Sequence, residues 1–176
     1  ANRGELVGAL DAERGASLVT ELNWWEERDA GGLKVTAVPI HHWSKRTFFE
    51  RNDTLWAGWI IDSGSFRFFF AGDTGYSAVF RDIGERYGPF DLAAIPIGAY
   101  EPRWFMQYQH VNPEEAVRIH RDLGAKQSLG IHWGTFILTD EPPDEPPRRL
   151  HEAARSAGLG PEEFRVLMHG ETWRLD

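Results

Sequence analysis

Alternating strand-like and helix-like segments in the second half of the chain limit its possible folds more than any other feature. The run Asp91 to Gly98 is almost continuously apolar, which is typical of a strand buried on both faces. Apolar residues at helical spacing precede it at Val79 to Tyr87, and Asn112 to Leu123 follows with an N-cap, a proline at the first helical position and a glycine stop. This alternation predicts an α/β fold built on an open sheet.

The remaining segments extend this prediction toward both ends of the chain. Strands are expected at Ser17 to Leu22, Lys34 to Ile40, Leu55 to Asp62, Ser65 to Ala71 and Ser128 to His132. The third and fourth of these form a predicted hairpin, because a Ser-Gly turn joins them. Helices are expected at residues 4–14 and at Arg148 to Ala157, the latter after a proline-rich loop. A terminal hairpin is expected to pair Phe164 to Met168 with Glu171 to Leu175.

Composition excludes several classes of function. The chain has 27 acidic against 19 basic residues, a net charge of −8, so no basic face is expected to bind nucleic acid without sequence preference. It has no cysteine, which excludes thiolate zinc sites and cysteine nucleophiles. No apolar run approaches the ~20 residues of a membrane span, and the first residues lack the apolar core of a signal peptide. We therefore expect a protein that is soluble or peripheral to a membrane, of undetermined compartment.

Three predicted strands stop at a polar side chain: His42, Asp73 and His132. Because open α/β sheets place ligands beyond the carboxyl ends of their strands, these three side chains can converge in space. Two imidazoles and a carboxylate are ligand types of catalytic zinc or iron sites. The alternative is that each residue only forms a turn, caps an element or lies in the core, and residue spacing by itself leaves both interpretations open.

Longer motifs add a family resemblance. They are His42 to Thr47, Phe68 to Tyr76, Gly88 to Met106, Gln109 to Val111 and Ile131 to Phe136. Together they closely resemble the N-acylphosphatidylethanolamine-hydrolysing phospholipase D family of the metallo-β-lactamase superfamily. The resemblance implies an αββα sandwich, with residues 1–176 as the C-terminal portion of the hydrolase domain, supplying mainly the second sheet and its helices. It also implies two zinc ions and hydrolysis of a phosphodiester in an N-acylated phospholipid, which gives phosphatidic acid and an N-acylethanolamine.

The resemblance also implies roles for individual residues. His42 resembles a ligand of the first zinc ion, with His41 as the competing choice, and His132 resembles a ligand of the second. Asp73 resembles the carboxylate that bridges both ions and is expected to be catalytic. His110 resembles a catalytic and substrate-binding histidine that contacts the phosphate rather than a permanent ligand, or it only caps the next helix.

Two substrate-binding residues are implied as well. Lys45 and Gln109 resemble residues of the substrate pocket, although Lys45 can instead pair with Glu50 on the surface. Aromatic and methionine side chains near the motifs can line an acyl-chain groove or belong to the core: Trp43, Phe48, Phe49, Trp104, Phe105 and Met106.

One motif of the superfamily is absent from this sequence. It has no His-x-His-x-Asp-His segment, which in the superfamily supplies two ligands to each metal. We therefore expect that this chain holds zinc weakly by itself, and that an N-terminal segment or a second chain completes the site and covers one apolar face of the sheet. Alternatives are a metal-poor paralogue that acts as a dimerising or lipid-binding module, and a lactonase-like hydrolase. A homodimer and peripheral membrane contact are compatible with either class.

Overall fold

A computed structural model describes residues 19–45, 49 and 51–175, and these residues build one seven-stranded sheet. The strands are β1 Glu27–Ala30, β2 Leu33–Val38, β3 Gly58–Asp62, β4 Arg67–Phe70, β5 Phe90–Pro96, β6 Ala125–Ile131 and β7 Phe164–Val166. The helices are α1 Val79–Tyr87, α2 Arg103–Met106, α3 Pro113–Asp122 and α4 Glu145–Ser156. This is the α/β fold that the sequence predicts.

The sheet is mixed, and its strands lie in chain order. β1 to β4 pair as antiparallel neighbours, whereas β4 to β7 pair in parallel. Because β2 and β4 are each antiparallel to β3, they run in the same direction as β5 and β6. The carboxyl ends of β2, β4, β5 and β6 therefore meet at one edge of the sheet, which is where the predicted site residues follow.

One face of the sheet is covered by helices. α1 buries Phe80 and Ile83, α3 buries Ile119, and α4 buries Leu150 against strand residues of the same core. α3 begins where the sequence predicts, because Asn112 and Glu115 form a complete capping box at its first turn. In the described part of the chain, no helix combines the length and the apolar character needed to cross a bilayer.

The opposite face carries apolar side chains that are only partly buried. Trp59 and Phe70 lie opposite each other on β3 and β4 and are 36% and 39% exposed. Ile61 and Phe68 form the next pair on the same face and are also incompletely buried. Coverage of this face by another polypeptide stays a prediction.

Most predicted elements are confirmed with shorter or shifted bounds. The hairpin of the predicted strands Leu55 to Asp62 and Ser65 to Ala71 is present as β3 and β4. α4 starts three residues earlier than predicted, because the prolines of the loop occupy its first turn, where a missing N–H costs nothing. The helix predicted at residues 4–14 lies outside the described residues.

Two predictions at the ends of the sheet are wrong, and one strand was not predicted. Residues 19–22 form no strand, because the chain first makes a turn in which Asn23 and Glu26 bond to each other. β1 follows that turn, and its sequence did not reveal it because all four of its residues are exposed. The terminal hairpin is absent: Phe164 is buried and β7 adds in parallel to β6, while residues 171–175 form no strand.

The aromatic residues near the motifs are mostly on the surface rather than in the core. Trp43, Phe49, Trp104 and Phe105 are exposed, and only Met106 is buried. Phe48 lies outside the described residues. The core interpretation is therefore wrong for the four exposed side chains.

Candidate metal centre

His42 follows β2 and has one ring nitrogen already engaged. Its Nδ1 lies 2.9 Å from the carbonyl oxygen of Trp43, and because a carbonyl only accepts, Nδ1 donates. Nε2 is then the nitrogen that carries the free lone pair. A backbone carbonyl that fixes the tautomer in this way is the usual outer partner of a metal-binding histidine. The neighbouring His41 is exposed and contributes its backbone, not its ring, to the site.

Asp73 follows β4 in the turn Gly72 to Gly75 and lies beside His132. The Oδ1 atom of Asp73 is 3.3 Å from Nε2 of His132. The hydrogen bond from His132 holds the pKa of Asp73 below its usual value, and the same bond raises the pKa of His132. The Asp73 carboxylate is therefore ionised at neutral pH and is available to cations.

Thr74 connects the Asp73 turn to the segment that carries His42. Its buried hydroxyl accepts a hydrogen bond from the backbone N–H of His41 at 3.0 Å and donates one to the carbonyl of Gly75 at 2.7 Å. The N–H of Gly75 donates to the carbonyl of His41 at 2.8 Å. These bonds, made one or two residues away from His42 and Asp73, fix the distance between the two segments.

The same turn also holds the segment that carries His110. The carbonyl of Thr74 accepts from the N–H of Val111 at 2.9 Å. A Cβ atom on Gly75 would lie 2.5 Å from the carbonyl oxygen of Tyr108, so only glycine allows this close approach. Arg103 donates to the carbonyl of His110 at 2.8 Å, which anchors the segment from its other side. His110 is thus placed beside Asp73 by backbone contacts.

His132 is the first residue after β6 and has a left-handed backbone, with φ of 59°. A side chain at residue 98 would collide with the carbonyl oxygen of His132, so Gly98 permits the backbones after β5 and β6 to touch. The left-handed conformation costs a non-glycine residue some free energy. It turns the imidazole toward Asp73 at the carboxyl edge of the sheet.

The four side chains form one cluster. Ligand atoms of His42, Asp73 and His110 all lie within 4.8 Å of one another. The ring centroids of His110 and His132 are 5.2 Å apart, and those of His42 and His110 are 5.5 Å apart. The convergence expected for the three strand ends is therefore present, and His110 joins it.

His110 gives the clearest sign that the cluster fits a cation. Its Nδ1 atom is buried and has no hydrogen-bond partner among the described residues. Burial, and next the neighbouring His132, lower the pKa of His110 to about 4, so its ring is neutral at pH 7. A neutral imidazole keeps one nitrogen with a free lone pair, and nitrogen and carboxylate oxygen atoms are the ligand types that zinc binds. The residues therefore fit a metal ion.

The other predicted site residues lie around this cluster. Gln109 is partly buried, and its amide contacts the sulfur of Met106 at 3.8 Å, whereas Lys45 is exposed on the segment after His42. Their contact with substrate stays a prediction. The carboxylate of Glu101, in the segment after β5, accepts from the backbone N–H of Arg103 and is not in the group of three potential ligands.

Comparison with known protein families identifies the superfamily of this chain. The sequence pattern described as the beta-lactamase superfamily domain matches residues 3–133. The chain belongs to the metallo-β-lactamase superfamily. This confirms the resemblance inferred from the motifs, and it relates the chain to metal-dependent hydrolases.

Individual relatives agree with this assignment. The N-acyl-phosphatidylethanolamine-hydrolyzing phospholipase D 1 of Caenorhabditis elegans is 44% identical over 90% of the chain and 47% of its own length. The mitochondrial enzyme of that name from Saccharomyces cerevisiae is 38% identical over 82% of the chain and 32% of its own length. A metallo hydrolase of Ignicoccus hospitalis has a TM-score of 0.64 at 26% identity, over 89% of this chain and 61% of its own. The chain spans less than half of the two curated relatives.

Replacement of Thr74 by valine tests the positioning role of its hydroxyl. The valine side chain would leave the partly buried N–H of His41 without its acceptor, so we expect the free energy of unfolding to fall by about 1 to 3 kcal/mol. We also expect weaker zinc binding, because His42 and Asp73 are no longer held at a fixed distance. Chemical denaturation and zinc titration measure the two effects. Thr74→Ser keeps the hydroxyl and should restore zinc affinity; equal affinities in the valine and serine variants would contradict the role.

Proposed function

We propose that this chain carries the catalytic residues of a zinc-dependent phosphodiesterase of the phospholipase D type, which hydrolyses N-acylphosphatidylethanolamine-like lipids. The observation that carries the proposal is the cluster of three histidines around Asp73: ligand atoms of His42, Asp73 and His110 lie within 4.8 Å of one another, and Nε2 of His132 lies 3.3 Å from Oδ1 of Asp73. The 44% identity with the nematode phospholipase supports the substrate class.

Zinc, held by His42, Asp73 and His132 and by ligands from outside these residues, would supply Lewis acidity and a nucleophile at neutral pH. The ionised Asp73 lies at the centre of the cluster, where it can neutralise and connect two cations. Its hydrogen bond to His132 orients that imidazole. Each catalytic zinc typically has three protein ligands, so we propose that a further segment or chain completes the set and covers the apolar face of the sheet.

His110 would act on the phosphate itself. Its low pKa keeps the ring neutral, so it can donate one N–H to a phosphate oxygen without carrying a charge. A hydrogen-bond donor that is already in position lowers the activation barrier most where negative charge develops in the transition state. The acidic chain otherwise offers little to attract a phosphodiester, which is why the cations would have to provide the local positive charge.

The test is incubation of the zinc-supplied protein with N-acylphosphatidylethanolamine in mixed micelles, followed by mass spectrometry. Phosphatidic acid and N-acylethanolamine are the expected products, and phosphatidylethanolamine without the N-acyl group is the comparison substrate. Hydrolysis of an acyl lactone but not of the phospholipid would replace the proposal with a lactonase. Failure to bind zinc even when the apolar face is covered by a partner would favour a non-catalytic module.

A further inference from the structure

A cavity of about 290 Å³ opens beside His132 and is not lined by His42. Its walls come from the loop that follows His132 and from the start of α4; they include Trp133, Phe136, Leu138, Pro143 and Pro146. The volume is at the lower end of the range of small-molecule sites, roughly 300 to 1,000 Å³. His132 is part of both the cavity wall and the ligand cluster, so a molecule in the cavity would reach the candidate metal centre.

The walls of this cavity carry little free charge. Among the described residues that line it, only His132 and Glu141 are ionisable. The carboxylate of Glu141 accepts from the backbone N–H groups of Ala99 at 2.6 Å and Glu101 at 3.0 Å, and the Thr139 hydroxyl donates to it at 2.8 Å. Its charge is thus already compensated by donors. The cavity is therefore suited to an apolar occupant.

The outer wall of the cavity is unusual for a protein surface. Phe136, Ile137 and Leu138 are consecutive apolar residues and are 75%, 82% and 68% exposed. Side chains this exposed bury little apolar area within the fold, and three of them in a row point to a function. Since the three also line the cavity, their free side chains can close over a bound chain.

From these observations we infer that the cavity binds one acyl chain of the lipid substrate, with its polar end directed to His132. This inference rests on the proposed lipid phosphodiesterase activity and adds to it the subsite that would recognise the chain. Phe136, Ile137 and Leu138 form its outer wall. The exposed aromatic residues near the other motifs, such as Trp104, are not part of this subsite.

Binding of single-chain amphiphiles tests the subsite independently of hydrolysis. Butyl, hexyl, octyl and decyl phosphocholine are titrated below their critical micelle concentrations into protein without added metal, and calorimetry gives each Kd. We expect Kd to fall up to about fourfold per added methylene, the effect of burying each group, until the cavity is full. A Kd that does not change with chain length would overturn the inference.

Variants of Leu138 test whether the amphiphiles bind in this cavity. Leu138→Asp places a charge in the wall and should remove the dependence on chain length, whereas Leu138→Ile should retain it. Leu33→Asp is the matched control, because Leu33 is an exposed leucine at the start of β2 and does not line the cavity. If Leu33→Asp weakens binding as much as Leu138→Asp does, the inference is wrong.

Two further outcomes separate the subsite from its alternatives. Binding to phosphatidylcholine vesicles that needs Leu138, without binding of monomeric amphiphiles, would assign the loop to a bilayer surface and overturn the subsite. Chain-length-dependent binding without hydrolysis of N-acylphosphatidylethanolamine would support the subsite and count against the proposed activity. The two proposals can therefore fail separately.

Discussion

Asp73→Asn is expected to abolish turnover while the fold stays intact. The amide has no negative charge, so it would not neutralise and connect the two cations of the proposed site, and metal affinity should fall by more than the ~10–100-fold that loss of an outer partner costs. Asp73 has a side chain 47% exposed, so its replacement should change the thermal midpoint little. Metal analysis, turnover and thermal unfolding of the same preparation measure the three effects.

The matched control for this variant is Asp29→Asn. Asp29 is an exposed aspartate in β1, away from the cluster, and the same chemical change there should leave metal content and turnover unaltered. Full activity with normal metal content in Asp73→Asn would remove Asp73 from the mechanism.

His110→Ala is expected to lower phosphodiester turnover by roughly 10² or more. The alanine variant loses the imidazole that can donate to the phosphate and removes a buried nitrogen without a partner in the described structure. If His110 acts on the phosphate, the zinc content of the variant should equal that of the unmodified protein. Steady-state kinetics and metal analysis, done together, give the result.

The same experiment distinguishes the two roles open to His110. Loss of zinc together with activity would make His110 a ligand, a role that its position within 4.8 Å of His42 and Asp73 allows. His151→Ala is a suitable control, because His151 is an exposed histidine of α4 and should tolerate the change in both assays.

The sequence predicted the convergence of the candidate site residues better than it predicted the ends of the sheet, while the roles of those residues stay predictions. His42, Asp73 and His132 could be placed together because each follows an apolar strand, and the carboxyl ends of such strands meet at one edge. β1 could not be found in this way, since its four exposed residues show no alternation between buried and exposed positions. The parallel pairing of β7 was missed because it depends on the burial of Phe164, a contact between distant segments.

The residues that support the site were missed for a similar reason. Asp-Thr-Gly is an ordinary turn sequence, and nothing local shows that the Thr74 hydroxyl meets the N–H of His41, 33 residues earlier. Glu141 binds backbone groups 40 to 42 residues before it, from within a proline-rich loop. Residue type indicates that such side chains can form hydrogen bonds, but only the fold determines the partners.

The turn at Thr74 and Gly75 has a consequence for redesign of the protein. The bonds that join the three segments there involve main-chain groups and one hydroxyl, and none involves the side chains of His42, Asp73 or His110. The side chains that can bind a metal can therefore be replaced while the hydrogen bonds that position their backbones remain. Designed metal sites need ligand side chains that are held by rigid elements of the scaffold. Exchange of Asp73 for histidine, or of His42 for a carboxylate, is therefore expected to change which cation the site prefers without the need for a new scaffold.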